Sequence, residues 1–175
     1  MLRNYILLLF LAVCVKAFTQ AESDNFYLFE EKITWKKVYE TTKSKAELID
    51  YFKNSGLFWT TETIADTIYG KLKLQKIDPA KTGVAGVPEL VNKTGIKGNV
   101  KIELKDKKYR ILFTEILMVG NGEILKKGEE QSLEYNFLNK ELTAYRPGFL
   151  KKPSWVYNTT FSELFEIKTK AKDEW

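Results

Sequence analysis

The 175-residue chain contains no histidine and a single cysteine, Cys14. The missing histidine removes Ser-His-Asp and Cys-His constellations and histidine-ligated metals. It leaves carboxylates, lysine and tyrosine for acid–base work near neutral pH. Two adjacent carboxylate pairs, Glu30-Glu31 and Glu129-Glu130, are the nearest approach to a hydrolytic dyad. Neighbours on a strand face opposite ways, however, and a glycosidase needs two carboxyls on one substrate at about 5–10 Å. Both pairs therefore read as solvated surface. Gly83, Gly86, Gly95 and Gly98 are too widely spread for a phosphate-cradling loop and lack its Gly-Lys-Ser/Thr ending. No catalytic set, metal or cofactor follows from these residues.

A more suggestive pattern is cationic. Lys71, Lys73, Lys101, Lys105 and Arg110 fall at alternate positions of segments with strand periodicity, with Tyr69, Gln75 and Asn136 as companions. Such a face suits a glycan, a lipid headgroup or a peptide. With Glu103 and Glu134 interspersed, the ordinary charged face that keeps a sheet in solution is the better account. Trp35, Trp59, Trp155 and Trp175 could line a sugar platform, although tryptophan in regular elements is more often core. Asn92-Lys93-Thr94 and Asn158-Thr159-Thr160 have the form of glycosylation sequons, and Asp66-Thr67-Ile68 that of a bacterial O-glycosylation site.

The elements that must position these residues begin with a leader. Met-Leu-Arg-Asn is followed by an apolar run from Tyr5 to Val15, then Lys16 and the small-residue exit ending at Ala21. Basic start, short apolar core and small exit are the parts of a secretory signal. The run is far shorter than the roughly 20 residues of a bilayer span. Cleavage after Ala21 is expected, with Ala17 as the second choice. Leu11-Ala12-Val13-Cys14 also has the outline of a lipobox, which would make Cys14 a lipidation site. Val13 stands where a small residue is usual, and a small apolar residue within a signal core is the better account. Removal of residues 1–21 would take the cysteine, Arg3 and Lys16, leaving 26 basic residues against 23 acidic. A weakly basic domain at 22–175 is expected, without a membrane span and without the clustered charge of a nucleic-acid binder. Its expected place is the periplasm or the cell surface.

Within that domain, Ile33 and Trp35 share a strand face from which Val38 departs, as a bulge or strand end would explain. Ser44-Lys45-Ala46-Glu47 is a capping box that opens a helix over 45–54, with Leu48, Ile49 and Phe52 on one side. Residues 58–64 and 68–77 read as strands, with Ile68, Leu72 and Leu74 inward and Lys71 and Lys73 outward. A long connection follows at 78–97, of a length that is often mobile or functional. Val100 to Val119 forms a hairpin turning at Asp106-Lys107. Leu133, Tyr135 and Phe137 alternate like a strand, which turns at Asn139-Lys140 into another over 141–145. Tyr157, Phe161, Leu164 and Phe165 mark a last helix starting near Ser154, and 168–175 is a charged tail. The fold class is α+β, an antiparallel sheet with two helices on one face and the other face open.

The segment Ile33-Thr-Trp-Lys-Lys-Val-Tyr-Glu40 with the Ser44–Phe52 helix resembles a group of exported bacterial proteins carrying a domain of unknown function. The paired stretch Gly98 to Phe113 resembles them too, most closely in the Lys-Asp-x-Lys-Tyr-Arg turn at 105–110. The resemblance implies a fold like that of the TATA-binding protein, a curved antiparallel sheet backed by helices, and a place in the cell envelope. It brings no activity and no catalytic residues. Three functions remain open: a non-enzymatic binding or accessory module using the open sheet face or the 78–97 loop, a carboxylate-dependent carbohydrate-active enzyme, and a purely structural module. The partner classes in view are an envelope protein, a glycan or an anionic surface.

Overall fold

The computed structural model describes residues 25–168. The leader, Cys14, Trp175 and all but the first residue of the charged tail lie outside them. Strands β1 (Phe26–Phe29), β2 (Lys32–Glu40), β3 (Phe58–Ile64), β4 (Thr67–Lys76), β5 (Thr94–Lys105), β6 (Lys108–Gly120) and β7 (Glu130–Ser132) form one antiparallel sheet. Its order is β1-β2-β6-β5-β4-β3, and β7 joins β6 at its far end. Helices α1 (Lys45–Asn54), α2 (Glu89–Asn92), α3 (Leu133–Phe137) and α4 (Lys152–Phe165) complete the described residues, with a 3-10 turn at Pro79–Thr82. This is the expected α+β class, with two short helices added to the two anticipated.

The capping box forms as the sequence indicates: Ser44 Oγ accepts from the Glu47 amide, and Glu47 Oε2 accepts from the Ser44 amide at 2.8 Å. Leu48 and Phe52 are thereby turned into the core. Helix α4 lays Tyr157, Phe161 and Phe165 on the same sheet face, where Phe161 meets Trp35 and Phe113 edge-to-face. Such pairs contribute about 0.5–1.5 kcal/mol beyond the area they bury. Tyr109 Oη donates to the Phe165 carbonyl at 2.8 Å, tying the end of α4 to the sheet.

Three bulges bend the sheet. Residues 59–60 of β3, 73–74 of β4 and 115–116 of β6 each place two residues opposite one on the neighbouring strand. They lie side by side, because Phe58 pairs with Leu72, Leu72 with Gly98, and Gly98 sits opposite the β6 bulge. A bulge bends its strand and sharpens its twist, so three in register fold the sheet along a line crossing β3 to β6. Gly98 is required there: a Cβ would lie 2.8 Å from the Glu115 and Thr114 carbonyl oxygens and from the Phe113 ring.

Several sequence expectations change. The β4 bulge reverses the alternation, so Leu74 is 52% exposed and Gln75, paired with Ile96, faces the helices. Val38 departs from the Ile33–Trp35 face without any bulge, because β2 alternates regularly and Val38 simply belongs to the open face. Residues 133–137 are helix α3: Leu133 and Phe137 are four apart, so their burial suits a helix as well as a strand, and Ser132 caps it by accepting from the Tyr135 amide. Residues 141–145 make only one bridge, between Leu138 and Tyr145. The long connection ends at Lys93, since Thr94 to Lys97 belong to β5, and Val91 anchors it in the core. Glu30-Glu31 form the tight turn between β1 and β2.

Candidate binding face

The face opposite the helices carries side chains in transverse rows fixed by strand register. One row runs Glu62, Tyr69, Lys101, Leu112 and Lys36, and the next runs Lys71, Asn99 and Thr114. Between the rows, the backbone at Gly70 and Val100 forms the floor of a concavity of about 550 Å³, bounded at the β3 edge by Thr60, Thr61 and Glu62. The groove therefore runs across the strands and lies beside the line of bulges. Strands β4 and β5 are paired on both sides, so their floor offers no free sheet edge. Recognition in the groove falls to side chains.

These side chains differ in how committed they are. Lys101 Nζ lies 2.8 Å from Glu103 Oε1, and Arg110 Nε donates to Glu103 Oε2 at 2.6 Å. The hydrogen bond from Lys101 holds the Glu103 carboxyl below the usual glutamate range, helped by Arg110 and opposed by partial burial. The same bond to Glu103 raises the Lys101 ammonium. Asn99 Nδ2 donates to Glu115 Oε2 at 2.7 Å, which fixes its carboxamide. Lys71 makes no ion pair among the described residues, and Tyr69 is 41% exposed.

The structure thus brings Tyr69, Lys71 and Lys101 together. Arg110 and Lys105 line a second hollow of about 190 Å³ with Val38 and Lys108, on the far side of the Lys101–Glu103 pair. Lys73 stands apart from the groove, its Nζ 5.5 Å over the ring of Trp59 on the edge strand β3. Asn136 belongs to α3, where its amide donates to Gln131 and to the Ser132 carbonyl. Glu134 is not on the open face: it is 5% exposed, and its Oε1 accepts from the Ile33 amide at 3.0 Å. Of the described tryptophans, Trp35 is core, whereas Trp59 and Trp155 are exposed and neither lines the groove. Sequence reading missed Asn99, Leu112 and Thr114. Each alternates correctly within its strand, but only the cross-strand register places it beside Tyr69 or Lys71.

No protein-family model matches the sequence, and no curated protein matches it. Two solved structures are similar in fold. One is a TBP-like protein from Parabacteroides distasonis, 18% identical, with a TM-score of 0.48 over 79% of this chain and 91% of that one. The other is a DUF4468 family protein from Bacteroides ovatus, 14% identical, with a TM-score of 0.48 over 81% of this chain and 86% of that one. Both likenesses are of the course of the chain alone.

Proposed function

We propose that the protein is an exported, non-enzymatic binding module of the cell envelope whose ligand lies in the transverse groove of the open sheet face. The observation that carries this reading is the groove itself, walled by Tyr69, Lys71, Asn99 and Lys101 and free of covering elements among the described residues. Its volume falls within the range typical of small-molecule sites, about 300–1,000 Å³. Glu103, next to the groove, is held ionised by Lys101 with help from Arg110, so it is not poised as a general acid near neutral pH. The 78–93 connection is the weaker candidate, because Val91 is buried in the core and its 3-10 turn packs on α4. Export rests on the leader at residues 1–21, with cleavage after Ala21.

Two measurements test the proposal. Mass spectrometry of the protein recovered from a fractionated bacterial host should find a chain beginning at Glu22 outside the cytoplasm; full-length chain confined to the cytoplasm refutes export. Thermal-shift screening against glycan and peptide panels should give a stabilising ligand whose effect disappears in Tyr69→Ala, since a ligand that binds only the folded state raises its melting temperature. A ligand insensitive to Tyr69→Ala, or turnover of any panel member, would refute the groove or the non-enzymatic reading respectively.

A further inference from the structure

We infer that the groove takes an acidic oligosaccharide, with a uronate carboxylate at Lys71 and a sugar ring against Tyr69. The inference rests on the groove being the binding surface and adds the chemistry of what occupies it.

The sign of the charge comes from the two cations that line the groove, Lys71 and Lys101. Lys101 and Arg110 share Glu103, and Lys97 Nζ lies 2.6 Å from Glu130 Oε1. Lys71 lines the groove without an acid partner among the described residues. Lys71 is exposed on the groove wall, and an ammonium there forms a charge-assisted hydrogen bond with an incoming carboxylate. The saccharide character comes from the remaining walls. Tyr69 offers a partly exposed ring, an amphipathic surface on which the C–H face of a sugar can lie. Leu112 continues that apolar wall across the Lys101 position. Opposite stand Asn99 and Thr114, short polar groups that can accept from and donate to ring hydroxyls. Glu62 closes the groove at the β3 edge, where its carboxylate can accept from hydroxyls.

A peptide fits less well for a reason of direction. The groove crosses the strands, and its floor is backbone whose strands are already paired on both sides. An extended peptide recognised by strand addition needs a free edge running along it. A saccharide needs none, because its hydroxyls are met by side chains.

The test is a chemical-shift titration of the 22–175 chain with trigalacturonate, with maltotriose as the neutral counterpart and triglutamate as the acidic peptide. The expected result is that trigalacturonate moves the amide signals of Tyr69, Lys71 and Asn99 and binds more tightly than either comparison ligand. Lys71→Met should weaken trigalacturonate roughly tenfold, the scale of one lost charge-assisted hydrogen bond, and leave maltotriose unchanged. Rising salt should weaken trigalacturonate and leave maltotriose unchanged. Maltotriose binding as tightly as trigalacturonate, with no effect of Lys71→Met, would overturn the acidic class while the groove reading survives. Triglutamate as the tighter ligand would overturn the saccharide. Perturbation of no groove amide by any of the three would overturn both inference and groove. Lys105→Met, outside the groove, should match the wild type throughout and controls for net charge.

Discussion

Glu134 offers a sharp test of how the bent sheet is held. Strand β6 pairs with β2 only as far as Phe113–Trp35; past the bulge at Glu115, it pairs with β7 through Leu117 to Val119. The change of neighbour leaves the Ile33 amide on β2 without a strand to donate to. Glu134, two residues beyond β7, supplies the acceptor at 3.0 Å while only 5% exposed. Replacement by Leu would bury an unsatisfied N–H and lose a hydrogen bond to a charged group, each about 1–3 kcal/mol and overlapping rather than additive. Burying the leucine and no longer desolvating a carboxylate offset part of this. The expected net loss for Glu134→Leu is about 2 kcal/mol, a fall in melting temperature of about 4–8 °C for a domain of this size. Glu134→Gln keeps an acceptor of the same reach and should lose less than about half as much. Urea denaturation gives the energies, and amide hydrogen exchange gives the cause, since Ile33 should exchange slowly in the wild type and in Glu134→Gln but fast in Glu134→Leu. A Glu134→Leu variant as stable as the wild type, with Ile33 still protected, would refute the account.

Further outcomes follow from individual contacts. Tyr109→Phe, which removes the hydroxyl bonded to Phe165 and Ile167, should cost about 1 kcal/mol in chemical denaturation. Tyr145→Phe should cost nothing or stabilise slightly, because its buried hydroxyl has no partner among the described residues. Gly98→Ala should destabilise by about 1–3 kcal/mol, since the new methyl meets two carbonyl oxygens fixed by the β6 bulge. The Glu103 carboxyl should titrate below the ordinary glutamate value of 4.5 and move up towards it in Lys101→Met, as followed by carboxyl carbon shifts. Because folding lowers this pKa, the ion pair's contribution is present above pH 4.5 and is lost as pH falls through the folded value.

Much of the fold is written locally. The Ser44–Glu47 box, the period-two hairpin around Asp106-Lys107 and the i, i+4, i+8 series Tyr157, Phe161 and Phe165 each depend on neighbours in sequence, and each forms as read. The failures share a cause. Leu133, Tyr135 and Phe137 satisfy a strand period, yet the first and last also satisfy a helical one, and only a core on one side of α3 selects between them. Leu74 lies outward because an extra residue slips into β4, and nothing in Leu72-Lys73-Leu74-Gln75 announces a bulge. Glu134 is buried because an amide 101 positions away needs an acceptor.

The bulges also link the fold to the groove. Each bulge inserts one residue and reverses the alternation beyond it, and Tyr69, Lys71 and Lys101 keep to the open face because all three lie on the hairpin-proximal side of the bend. Lys73 falls within the β4 bulge itself and is carried away from its companions to Trp59. A regular sheet would have set Lys71 and Lys73 side by side in one cationic strip. The bend breaks that strip, leaving Lys71 in the groove beside an aromatic ring and a carboxamide. For the proposed groove site, that separation favours a ligand that sets a uronate carboxylate at Lys71 over general attraction to anionic surfaces.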